Sequence, residues 1–137
     1  MEIIRRLVDA WNRQDAEGIL ALIHPEGEYV NAPTAVEPGT RRGHDEVVAV
    51  MRKQWEILSG ASQEIDRFHD RGEEIITQGR VSRTMPGSDG RISNPLLISW
   101  KFRDGKLIRL EQLGAGPEFP DALKAAGLSA PEPGSSS

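Results

Sequence analysis

The sequence predicts an α+β domain in which helices pack on one face of a sheet of antiparallel strands. Two observations lead there. Apolar residues recur at helical spacing through the first 58 positions and then alternate with polar ones after Gly60. The alternating segments are joined by turn chemistry, Asp70-Arg71-Gly72, a Pro86-to-Gly90 stretch and Asp104-Gly105, as antiparallel hairpins require. Helices first and a meander afterwards is an α+β order. If the sheet curls around its helices, its concave side leaves a pocket open at one end; a flat sheet fits the same periodicity.

In residues 2–13, Ile4, Leu7, Val8 and Trp11 make the stripe of an amphipathic first helix. Asp15 is a suitable N-cap for a second helix carrying Ile19, Leu20, Leu22 and Ile23, which Pro25 and Gly27 end. Residues 28–32 read as a short strand, because Tyr29 and Val30 favour extended backbone and Pro33 keeps its predecessor out of the helical region. Residues 33–43, with two prolines, read as a loop, and a third helix follows over 44–58 with Val47, Val48, Met51, Trp55 and Leu58 on one face. Four strands fit residues 63–69, 74–85, 91–102 and 106–113, and a short helix over 121–126 ends at Gly127. The third of these strands has the clearest alternation, which predicts one buried and one wet face.

One domain over residues 1–128 accommodates all of this, and the Pro/Ser/Gly-rich residues 129–137 read as a disordered tail. With no cysteine there is no disulfide framework, thiolate metal site or cysteine nucleophile. No apolar run has the length of a signal peptide or membrane span, so the expectation is a cytoplasmic protein with no membrane partner. The net charge of −4 is spread along the chain, and basic residues cluster no more tightly than pairs such as Arg41-Arg42. Without a basic stripe and interleaved aromatics, a nucleic-acid surface is not expected.

If Trp100 faces the interior, parity sends Asn94, Leu96, Ile98 and Phe102 inward with it. His69 shares parity with Ile65 and Arg67, which would bring it to the inner face as the one histidine placed for acid/base work. His24 precedes Pro25 at a helix end and reads as structural; His44 reads as solvated in the first turn of the third helix. No set of His and carboxylates has metal-ligand spacing, so neither metal nor other cofactor is expected.

Four motifs, in this order and spacing, carry a resemblance: Val8-Asp9-Ala10-Trp11-Asn12, Gly18-Ile19-Leu20-Ala21-Leu22-Ile23-His24-Pro25, Arg42-Gly43-His44-Asp45 and Asp104-Gly105-Lys106-Leu107-Ile108. Together they resemble the SnoaL-like branch of the nuclear transport factor 2 (NTF2-like) superfamily over nearly all of residues 4–128. The resemblance implies a cone-shaped barrel, with the N-terminal helices packed on a strongly curved, mixed or antiparallel sheet around an enclosed pocket. It also implies a homodimer and a small apolar metabolite as ligand. In the family register Arg80, Ser82, Thr84 and Gln112 point inward, leaving Leu97, Val81 and Leu107 to form an outer face for the dimer.

Known chemistries of the superfamily fit these positions incompletely. A ketosteroid isomerase would have its carboxylate base at Ala32, its Tyr at Leu7 and its Asp near Ile98, and all three are missing. A limonene-type epoxide hydrolase is matched by Tyr29, Asn31 and Arg80, but Ser82 and Gln112 stand in place of its two acids. The acid of a polyketide cyclase would also fall near Gln112. Two readings therefore stand. One is a SnoaL-like pocket protein that isomerises, cyclises or hydrates an apolar metabolite, with Tyr29, Asn31, Arg80, Ser82, Ile98, Trp100 and Gln112 lining its site and His69 as the candidate acid/base. The other is a non-catalytic binding or dimerisation module, in which Tyr29 and Asn31 are an ordinary strand end and Arg80 a solvated arginine.

Overall fold

The change of period after Gly60 becomes a change of layer. The computed structural model describes residues 2–31, 39–58, 60–85, 87 and 90–128, and Ala32, the 33–38 part of the expected loop and the 129–137 tail lie outside them. Helices α1 (Glu2–Asn12), α2 (Ala16–Leu20) and α3 (Gly43–Ile57) accompany strands β1 (Ile23–Asn31), β2 (Gly39–Arg42), β3 (Ser62–Asp70), β4 (Glu74–Thr84), β5 (Arg91–Arg103) and β6 (Lys106–Ala115). A 3-10 turn (Gly116–Glu118) then leads into α4 (Phe119–Ala125). The strands form one mixed sheet in the order β2-β1-β6-β5-β4-β3, with β1 parallel to β6 and all other neighbours antiparallel. The sheet is open, with β2 and β3 as its edges, so it is not a closed barrel.

The main core lies between the helices and the inner face of the sheet. From α1 it takes Ile4, Leu7 and Trp11, from α3 Val47, Val50, Met51 and Trp55, and from the strands Leu96, Ile98, Trp100, Leu107 and Leu110. Asp15 caps α2 by accepting from the Gly18 amide at 3.0 Å, as its side chain suggested. Ile23 does not continue that helix. It pairs with Leu107 at the start of β1, and the Leu107 amide donates to the Leu22 carbonyl at 2.9 Å, so a tertiary ladder overrides a helical apolar pattern.

The outer face is covered as well, contrary to the expectation of a wet side. Leu97 is 0% exposed and packs with Ile76 and Leu123, where α4 crosses β5 and β6. Gly114 makes that approach possible, since a Cβ there would stand 2.5 Å from the Ala122 Cβ. Gly127, at a φ of 74°, ends α4 with bonds from Gly127 to Lys124 (3.0 Å) and from Leu128 to Leu123 (2.8 Å), a Schellman arrangement. The Arg71 guanidinium donates to the Ala126 carbonyl at 2.7 Å and fixes the same end.

This packing corrects the outer face drawn for a dimer. Leu97 lies beneath the chain's own helix, whereas Val81 and Leu107 belong with the inner core. Among the described residues, no helix is long and apolar enough to cross a membrane.

Candidate functional site

Register decides which side chains share a face. Residues paired across neighbouring strands point the same way. From Trp100, whose indole donates to Thr77 Oγ1 at 2.8 Å in the core, the inner row follows through Ile75↔Trp100, Thr77↔Ile98, Gly79↔Leu96, Val81↔Asn94 and Arg83↔Ile92. It continues through Ile98↔Gln112 and Trp100↔Leu110 to Tyr29↔Leu110.

Two adjoining hollows lie between this row and the helices. The inner one is a narrow apolar space of about 30 Å³ bordered by Leu7, Trp11, Met51, Ile98, Trp100 and Leu110, among others. The outer one holds about 400 Å³ and is walled by Leu96, Asn94, Gln112 and Ala115 from the sheet, Gln54, Ile57 and Leu58 from α3, and the 3-10 turn. Trp11, Tyr29 and Gln63 border both. A volume of several hundred Å³ with an apolar base and a few polar groups is typical of small-molecule sites. A hollow of about 480 Å³ beside α2 and α3 is shallow and open, lined by polar and charged side chains such as Gln14, Glu17, Arg52 and Glu56.

Polar groups on these walls are mostly neutral. The Tyr29 hydroxyl donates to Gln54 Oε1 at 3.2 Å. Burial pushes the phenol up to about 12, and the bond to Gln54 opposes this only in part. Tyr29 is therefore an un-ionised hydroxyl at neutral pH. Asn31, 3% exposed, is buried beyond Tyr29 at the end of β1. Among the described residues, charge enters at two places, Arg83 from β4 and Glu118 from the 3-10 turn. Among the described residues, no three His, Cys, Asp or Glu side chains gather as a metal site needs.

Of the residues expected to converge, Tyr29, Ile98, Trp100 and Gln112 border this space, with Asn31 next to it on β1. Arg80 and Ser82 do not. They pair with Pro95 and Ser93 in the opposite row, so they face outward. The Arg80 side chain is 48% exposed and contacts Glu64 at 2.6 Å and Asp66 at 3.2 Å on β3. The hydrogen bond to Asp66, followed by the charges of Asp66 and Glu64, holds its pKa above the ordinary value. The register taken from the resemblance is one residue out in β4, and Arg83 occupies the inward place that had been given to Arg80.

His69 is displaced by a different device. A bulge between Ile65 and Arg67 breaks the alternation of β3, so Ile65 packs on the core while His69 pairs with Ile76 on the outer face. There its Nε2 lies 2.9 Å from the Gln78 amide nitrogen. An amide nitrogen can only donate, so the ring must accept in its neutral form. Burial first, then the charges of Arg67 and Arg71, lower its pKa. Neither its position nor its partners bring it to the cavity.

Gln54, Gln63, Arg83 and Glu118 were not anticipated. Gln54 had a signal, since it falls three residues after Met51 on the apolar face of α3 and is a polar side chain at a core position. Glu118 had none, because the 3-10 turn that presents it follows no apolar period.

Solved structures share this architecture. A nuclear transport factor 2-like protein from Burkholderia thailandensis is 27% identical, with 95% of this chain and 96% of that one covered at a TM-score of 0.73. TerC, co-crystallised with polyporic acid, is 24% identical over 90% and 96% of the two chains at a TM-score of 0.74. A hypothetical protein with a ketosteroid isomerase-like fold from Catenulispora acidiphila, in complex with trimethylamine, is 14% identical over 93% and 94% of the two chains at a TM-score of 0.73. A comparison with curated proteins found no significant match. Residues 4–110 match the family model of the SnoaL-like domain, and the chain belongs to that family.

Proposed function

We propose that this chain is a small-molecule pocket protein that takes a small, mostly apolar metabolite between its helices and the inner face of its sheet. The observation supporting this is the outer hollow of about 400 Å³ beside the apolar inner space, with Tyr29, Gln63 and Trp11 bordering both. Similar structures hold ligands as unlike as polyporic acid and trimethylamine, so the fold leaves the ligand to the lining of each protein.

The inner walls offer hydroxyl and amide groups in place of the paired carboxylates that proton transfer uses, which favours binding over chemistry at the base of the pocket. A catalytic reading, isomerisation, cyclisation or hydration, is supported by Glu118. It is the one carboxylate lining the pocket among the described residues, and a reacting atom would have to lie near the mouth to reach it.

Calorimetric titration with 2-naphthamide, a neutral bicyclic compound, tests the binding reading. Saturable binding of one molecule per chain is expected, and Ala115→Leu, which fills the outer hollow from β6, should weaken it while leaving the melting temperature nearly unchanged. Absence of saturable binding, or equal binding by the filled variant, would overturn the reading.

A further inference from the structure

From the charges around the cavity we infer that its ligand is an anion, a ring compound with a carboxylate or enolate group held by Arg83. The inference rests on the pocket reading and adds the chemical class of the ligand.

Among the described residues, the arginines that are partly buried are Arg41, Arg83 and Arg109. Arg109 pairs with Glu111 at 3.3 Å, and Arg41 also has an interaction. The Arg83 side chain makes no hydrogen bond or ion pair with any described residue, although it borders the cavity opposite apolar and amide groups. Its β4 neighbour Arg80, on the other face, has two carboxylates. Strand β4 thus carries one guanidinium neutralised on the outside and one left open toward the pocket.

A partly buried arginine beside a cavity is well placed to take an anion, because donors shielded from water otherwise find no acceptor. A carboxylate or enolate oxygen satisfies that need with charge-assisted hydrogen bonds, which Arg supports in bidentate form. Glu118 lines the same cavity without forming an ion pair with Arg83. Its charge disfavours an anion on its own side and directs the ligand's anionic end toward β4. The ring then extends along Leu96 and Gln112 toward Trp11 and Tyr29.

The test compares 2-naphthoate with 2-naphthamide, which differ little in shape and by one charge, on the full chain. The naphthoate should bind about ten- to a hundredfold more tightly, the range of one charged hydrogen-bonding group. Arg83→Gln should abolish that preference, bringing the affinities for the two compounds together. Arg83→Lys should retain part of it, and Glu118→Gln should strengthen naphthoate alone. Equal affinity of the two compounds for the unmodified protein, or a preference that persists in Arg83→Gln, overturns the inference while the pocket reading stands. Failure of both compounds to bind overturns the pocket reading and the inference with it.

Discussion

The Tyr29 hydroxyl donates to Gln54 Oε1 at 3.2 Å, joining β1 to α3 where the two hollows meet. Tyr29 is a spectroscopic marker for this junction, because it is the only tyrosine in the sequence. Burial raises its pKa from 10.0 to about 12. In the folded chain the phenol should therefore stay un-ionised while the same residue in the unfolded chain titrates near 10.0. A raised pKa means that this contribution to stability is complete below pH ~10 and is lost as the pH climbs toward the folded value. Absorbance at 295 nm should show a midpoint near 12 for the native protein and near 10 in urea. A native midpoint near 10 would place Tyr29 in water.

Leu97 tests the outer layer. Fully buried under α4 with Ile76 and Leu123, it should lose about 2–5 kcal/mol of stability as Leu97→Ala, measured by urea unfolding. Leu123→Ala should cost a similar amount, and the double variant less than the sum, because each side chain packs on the other. A cost within experimental error would mean that α4 does not cover the sheet in solution.

Arg80 should be neutral to binding. Its partners Glu64 and Asp66 lie on the solvent side of β3, so Arg80→Leu should leave naphthoate affinity unchanged where Arg83→Gln does not. Ser82→Asp likewise adds a carboxylate to the outer row and should not alter the pocket. A loss of affinity in Arg80→Leu at unchanged stability would reverse the register of β4.

His69 should make the fold sensitive to mild acid. Its pKa is lowered by burial and by Arg67 and Arg71, and its neutral ring accepts from Gln78. A group with a depressed pKa, neutral in the fold, contributes stability that is present above the unfolded value of ~6.5 and is lost as the pH falls through the folded value. As the pH falls below ~6.5 the melting temperature should drop more steeply in the unmodified protein than in His69→Gln. Parallel curves would show that the ring titrates as freely folded as unfolded.

The same two strands explain what could be foreseen from the sequence. Ile4, Leu7 and Trp11 recur at helical spacing and Leu96, Ile98 and Trp100 at every second position, so both the elements and their inward faces were legible. In β4 the two candidate rows are Gly79, Val81, Arg83 and Arg80, Ser82, Thr84, each with one arginine, and only pairing to β5 distinguishes them. The bulge that turns His69 outward leaves no mark in composition, since Asp66 and Arg67 suit either side of an edge strand. Strand β2 was hidden because Gly39–Arg42 has no alternation of its own and is extended through pairing with β1. The last helix was visible from its stop at Gly127, but its docking surface was not. That surface is made by Leu97 and Ile76, which are distant in sequence.

The most direct measurement is a crystal structure of the protein grown with 2-naphthoate. The account predicts ring density in the outer hollow between Leu96, Gln112 and Tyr29, with the carboxylate within hydrogen-bonding distance of the Arg83 guanidinium. Ring density on the outer face of the sheet, or a hollow containing only water at saturating ligand, would contradict it.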